Sequence, residues 1–192
     1  SGCKITTQRR RESRFNMGGY SLERQQGRRA EICFKGLAER RGYTVIQTSA
    51  VSNIREHIDF ILARDNEPDK TAVDVKARKK VSRYSDEYDD ENVWIEFNNV
   101  RGNPGWLYGK ADKIAFERAF DFVLVDRESL KEYCEATVSP VIVKSTAEAI
   151  YKSFQREGRK DVISRVPMKD ILHPYSFTVG TEIWKKEADS AI

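Results

Sequence analysis

Cysteine is scarce in this chain of 192 residues: Cys3, Cys33 and Cys134 stand far apart, with no CxxC pair among them. That spacing excludes a thiolate zinc cluster and a disulfide framework as the organising device. It fits a reducing, intracellular compartment, so a cytoplasmic location is expected. Long apolar runs are missing as well. The best of them, such as Phe122 to Val125, fall far short of the ~20 residues that span a bilayer. No secretory apolar stretch is visible, and no membrane partner is expected. Internal repeats and low-complexity segments are also absent, which leaves out solenoid and array architectures. An acidic run from Asp86 to Glu91 lacks the spacing and the glycine of an EF-hand, so it does not read as a calcium loop.

Charge is what the chain has in quantity. Charged residues make up 33% and hydrophobic residues 39%, the balance of a globular protein with a heavily charged surface. The net charge of +4 is small but unevenly spread. Lys4, Arg9, Arg10, Arg11, Arg14, Arg24, Arg28, Arg29, Arg40 and Arg41 crowd the first fifth, where they could follow a phosphate backbone with salt-sensitive affinity. Residues 1–20, with little apolar periodicity, read as a flexible basic arm that either binds nucleic acid or only solubilises the chain. Residues 21–192 read as one domain, with a core over about 21–137 and a β-rich C-terminal extension over about 138–192.

Periodicity supplies the elements. A helix is predicted from Ser21 as N-cap to Gly42, burying Ala30, Phe34, Leu37 and Ala38. Tyr43 to Thr48 forms a first strand, and a loop carries the chain over 49–56. The stretch His57 to Lys80 then reads as strand, turn, strand, its turn marked by Asp65, Asn66, Pro68 and Asp69. After it the basic residues 78–80 and the acidic run form a loop, best read as solvated. Val93 to Asn98 alternates as a strand, with Glu96 on the face opposite Val93, Ile95 and Phe97. Ala111 to Glu117 is open between helix and strand. Phe120 to Val125 is a buried strand, Arg127 to Ala136 a helix, Val141 to Lys144 a short strand, and Tyr151 to Val166 a hairpin turning at Glu157-Gly158.

The chemistry concentrates in His57 to Lys80. Alternation places Asp59 with His57 and Ile61 on one face, with Ile58, Phe60 and Leu62 on the other. In the second strand Asp74 and Lys76 share a face, opposite Val73 and Val75. Two acids and a lysine therefore converge at one end of a hairpin. Asp59, Asp74 and the carbonyl of Val75 would make an incomplete shell of hard oxygen donors for Mg²⁺ or Mn²⁺, with Lys76 beside it. A surface ladder of opposite charges is the plainer alternative.

A helix carrying Glu31, a strand opening at Gly42-Tyr43, a loop with Ser49 or Ser52, then Asp59 and Asp74-Val75-Lys76 together resemble the PD-(D/E)xK nuclease superfamily. Within it the pattern over residues 29–80 is similar to archaeal-type Holliday-junction resolvases and small phage-type nucleases. The literal Pro68-Asp69 pair is a decoy five positions before Asp74. What the resemblance implies is an α/β, restriction-endonuclease-like fold: a central mixed sheet flanked by helices. It implies metal-dependent hydrolysis of DNA, with Asp59 and Asp74 on the metal, Val75 lending a carbonyl, Lys76 orienting or activating water and Glu31 assisting, as a third carboxylate on the metal or by positioning its water. Junction, flap, linear and restriction-type cutting all stay open, as do RNA as substrate and a homodimer. The single-domain build suits a phage-encoded protein.

Around that site, Arg28, Arg29, Arg55, Arg78, Lys79, Arg101, Tyr108 and Lys110 are the candidate nucleic-acid contacts, mixing cations with a stacking ring. Trp106 is expected in the core. Two other classes remain: a nucleic-acid-binding module that does not cut, and a protein-binding inhibitor using the acidic run as a nucleic-acid mimic.

Overall fold

The computed structural model describes residues 22–65, 67–81, 85–173 and 181–186. The basic arm expected over 1–20 and the N-cap Ser21 lie outside them. Helix α1 (Leu22–Arg40) forms because one stripe of it is apolar. Ala30, Phe34, Leu37 and Ala38 are fully buried. Phe34 stacks flat on Trp184, centroids 5.5 Å apart, and meets Phe122 edge-on at 5.3 Å. The helix ends where Gly42 turns left-handed at φ +82°, which lets the Tyr43 N–H return to the Ala38 carbonyl at 3.1 Å.

In chain order the strands are β1 (Thr44–Gln47), β2 (Phe60–Ala63), β3 (Thr71–Lys76), β4 (Lys79–Lys80), β5 (Tyr88–Asp89), β6 (Asn92–Asn98), β7 (Lys113–Glu117), β8 (Asp121–Asp126), β9 (Ser139–Val143), β10 (Lys152–Phe154), β11 (Val162–Pro167) and β12 (Glu182–Lys185). Helices α2 (Ala50–Glu56), α3 (Arg127–Thr137) and α4 (Met168–Ile171) complete the set, with a 3-10 turn at Trp106–Tyr108. The central sheet runs β1-β2-β3-β7-β8-β12 and is mixed: β3 and β7 are parallel, every other pair antiparallel. A second sheet runs β6-β11-β10-β9, and β4 pairs with β5 as a ribbon. The stretch expected as an extension therefore serves both sheets, β12 closing one edge of the central one.

Two apolar cores sandwich that sheet. On one face α1 packs on Phe60, Leu62, Val73, Val75, Phe122 and Leu124. On the other, Ala72, Ile114, Phe116 and Val125 meet Leu130 of α3, Ile95 of β6 and Met168 of α4. β3 is thus covered on both sides, as a central strand must be. The protein is a mixed α/β fold, with a central mixed sheet flanked by helices. No helix among the described residues is long and apolar enough to cross a membrane.

Four expectations are corrected. Residues 50–56 are a helix, not a loop, because Ser49 caps it by accepting the Ser52 N–H at 3.2 Å. His57 closes that helix in the left-handed region, φ 54°, so strand pairing begins only at Phe60 and Ile58 joins the core opposite Phe60 and Leu62. The acidic run is paired, not merely solvated: Lys80 meets Asp86 at 2.9 Å, Arg78 meets Asp90 at 2.7 Å and Arg165 meets Asp89 at 2.6 Å. The strand expected from Phe120 starts at Asp121, and Phe120 itself is 80% exposed. Pro68 and Asp69 fall in the β2–β3 connection, away from the Asp74 end of β3.

Candidate active site

The register of β2 on β3, Phe60 opposite Val73, places Asp59 and Asp74 together where the pairing stops. Asp59 is 7% exposed and Asp74 4%. Past the last ladder pair, the Val75 N–H has no strand partner on the β2 side and donates to Asp59 Oδ2 at 2.7 Å. The other oxygen, Oδ1, accepts from Asn53 Nδ2 of α2. A strand residue's amide and carbonyl leave by the same edge, so the Val75 carbonyl also leaves β3 on the Asp59 side.

Asp74 is treated differently. Lys76 Nζ stands 2.7 Å from its Oδ2, yet off the direction of a hydrogen bond, and that buried oxygen has no hydrogen bond among the described residues. Burial pushes the Asp74 carboxyl up to about 7, the attraction of Lys76 offsets only part of this, and the negative charge of Asp59 adds to it. Two buried carboxylates are therefore crowded together, with the Lys76 ammonium against Asp74. Lys76 Nζ also lies 5.0 Å above the Trp106 ring, a favourable place for a cation. The 3-10 turn presents that ring because its flanking glycines allow close approach. A Cβ at Gly105 would overlap the Glu96 backbone, and one at Gly109 would come within 2.8 Å of the His57 Cβ.

Glu31, half-buried on α1, feels the same cluster. Its carboxyl is raised by burial and by Asp59, against lowering by Arg28 and Lys76. His57 is lowered by burial and by Lys76, while no hydrogen bond ties it to the carboxylates among the described residues. Glu96 arrives from the second sheet. β6 does not neighbour β3, but Glu96 lines the same cleft as Lys76, about 540 Å³ between the sheets. Burial raises its carboxyl, Lys76 lowers it, and the Trp106 N–H donates to it at 3.4 Å.

The candidate contacts divide into those in ion pairs and those exposed on the surface. Arg29 donates to both oxygens of buried Glu117 at 2.9 Å, Arg78 grips Asp90 over the Tyr88 ring, and Lys110 meets Glu56 at 3.0 Å. Tyr108 is 42% exposed, its hydroxyl pushed up to about 12 by burial and by Glu135. Arg28, Arg55, Lys79 and Arg101 are exposed. Trp106, by contrast, is core as expected, at 6% exposed. Asn53 is the site residue that sequence patterning does not reveal, because the pattern predicts a loop over 49–56. The available signal was Ser49 at an N-cap position.

No protein-family model and no curated protein matches the chain. Among solved structures it is similar to a bacterial homing endonuclease, I-Ssp6803I. The two are 17% identical with a TM-score of 0.42, covering 58% of this chain and 74% of that one. At that TM-score the likeness carries no argument about function.

The donor set itself can be asked whether it suits a metal. No group of three or more His, Cys, Asp or Glu side chains is spaced to hold an ion among the described residues. Mg²⁺ does not require one. It keeps several waters and binds through one or two carboxylates plus phosphate oxygens. Two hard carboxylates, one of which turns its buried Oδ2 only to the Lys76 ammonium, fit that mode.

Proposed function

We propose that this chain is a metal-dependent nuclease that hydrolyses phosphodiester bonds in DNA, of the PD-(D/E)xK type. The observation that carries the reading is the pairing of Asp59 with Asp74, buried side by side with Lys76 at their mouth. Burying like charges together is costly, and a purely structural hairpin would gain nothing from it. In this reading Asp59, Asp74 and the Val75 carbonyl would hold Mg²⁺ or Mn²⁺. Such an ion supplies Lewis acidity, offsetting charge on the scissile phosphate and making water nucleophilic near neutral pH.

The chain's own groups supply the rest. Asp59 is held on both oxygens, by Val75 and Asn53, so its position is fixed before substrate arrives. Lys76 carries its ammonium at the wall of the cleft, where it can donate to a phosphate oxygen or hold the attacking water. Glu31, raised by its surroundings, is suited to accept the proton that water loses as the new P–O bond forms and the old one breaks. Arg28, Arg55, Lys79 and Arg101 are exposed cations for backbone phosphates.

The test is cleavage of labelled single-stranded, duplex, flap and four-way DNA, with RNA beside them, in Mg²⁺, Mn²⁺ or EDTA. Metal-dependent cutting by wild type, reduced at least about a hundredfold in Lys76→Ala and Asp74→Asn, is the expected result. Binding with steep salt dependence and no cutting in any metal would replace it with a non-cutting binding module. Salt-insensitive binding to a protein partner, with no DNA binding, would favour the inhibitor.

A further inference from the structure

Gly27 stands inside α1, where glycine is the least favourable residue after proline. Nothing local requires it. Its backbone is not left-handed, and among the described residues no heavy atom comes within 4 Å of a Cβ built there. Its place between two cavities offers a reason. Gly27 is part of the wall of the cleft that Lys76 lines, and also of a groove of about 510 Å³ along α1 and the end of β1. Glu31 lies on the groove side, Lys76 on the cleft side.

The two cavities differ in kind. The groove carries Arg24, Arg28 and Lys35 against a single lining acid, Glu31, with Lys35 also 3.6 Å from the exposed Glu39, a net positive balance of the kind a phosphate backbone seeks. In the cleft Arg78 and Arg156 are already committed, to Asp90 and Asp161. Its wall includes instead the half-buried rings of Trp94 and Phe154, suited to a base. A volume of about 540 Å³ equals a cube roughly 8 Å on edge, too narrow for a duplex, whose major groove alone is ~12 Å wide. We infer that groove and cleft form one path for a single nucleic-acid strand crossing α1 at Gly27. Phosphates lie on Arg24, Arg28 and Lys35, and one unpaired nucleotide enters the cleft beside Lys76. The substrate class is then DNA with an unpaired strand, and intact duplex is excluded from the cleft. This rests on the nuclease reading for the site it serves, while the path itself is a matter of binding alone.

Binding is therefore measured in EDTA, by anisotropy of a labelled oligodeoxynucleotide as single strand and as blunt duplex, with melting curves for every variant. Gly27→Ala should melt higher than wild type and bind the single strand within about twofold, whereas Gly27→Trp should lose roughly tenfold or more. A second variant does not depend on the bulky side chain being accommodated. Arg24→Ala with Lys35→Ala should flatten the slope of log affinity against log salt by about 1.4, two single-strand phosphate contacts. The path is overturned if Gly27→Trp, folded, binds the single strand like wild type. It is equally overturned if the double variant leaves the salt slope unchanged, or if blunt duplex binds as tightly as the single strand. Cutting in Mg²⁺ or Mn²⁺ separates the two readings. Wild type that binds single strands through Gly27 but never cuts keeps the path and loses the nuclease; cutting that Gly27→Trp leaves intact does the reverse.

Discussion

Replacing Asp74 with asparagine should make the metal-free protein more stable, and only above mildly acidic pH. The carboxyl ordinarily titrates at 3.8 and is raised to about 7 in the folded chain. A raised carboxyl favours folding while it stays protonated, so that stability is whole below the unfolded value and is lost as pH climbs through the folded one. The loss builds from about pH 4 to about pH 7 and reaches about 4 kcal/mol at pH 8. Asp74→Asn removes the titration without changing the shape. Its advantage should be near zero at pH 4 and about 4 kcal/mol at pH 8, or roughly 8–16 °C in Tm for a chain of this size. Urea unfolding in EDTA across that range measures it. Saturating Mg²⁺ or Mn²⁺ should then stabilise wild type but not the variant, because the proposed site needs both carboxylates to hold the ion. A gap that is flat with pH, or wild type more stable than the variant at pH 8, would refute the account of Asp74 as a carboxylate raised by burial beside Asp59.

Two further outcomes follow from particular contacts. Asn53→Ala frees Asp59 Oδ1 on one side only, so cutting should fall roughly tenfold while the melting temperature moves little; an unchanged rate in single-turnover assays would show that Val75 alone fixes Asp59. Glu117→Gln should destabilise by about 3 kcal/mol, seen in urea unfolding. The buried carboxylate joins Arg29 of α1 to Lys186, each at 2.9 Å, and stability within experimental error of wild type would show that those cations find water instead.

How much of this was legible beforehand depends on the range of each interaction. The buried stripe of α1, the Phe60-to-Val73 hairpin, the alternation of β6 and the hairpin turning at Gly158 were all readable, because period and turn chemistry are local properties. The spacing of Asp59, Asp74 and Lys76 was readable for the same reason: a hairpin converts sequence distance into spatial distance by a fixed rule. Where the rule failed, a short-range detail had been overlooked. Ser49 capped a helix where a loop was expected, and His57 broke the alternation that would have put Ile58 with Phe60.

Sequence by itself thus determined which residues form the hairpin, which face of α1 is buried and which chemical groups the site has at hand. Only the tertiary structure decided what surrounds them. That Trp106 lies beneath Lys76, that Glu96 reaches the cleft from a sheet that does not pair with β3, that Asn53 holds Asp59 and that β12 closes the central sheet all follow from packing between segments far apart in the chain. Periodicity cannot report such contacts, because it says which side of an element is apolar and not which partner covers it. The raised carboxyl of Asp74 has the same origin. Its charge is written in the sequence, but the buried, crowded surroundings that oppose it exist only once both cores have closed on β3.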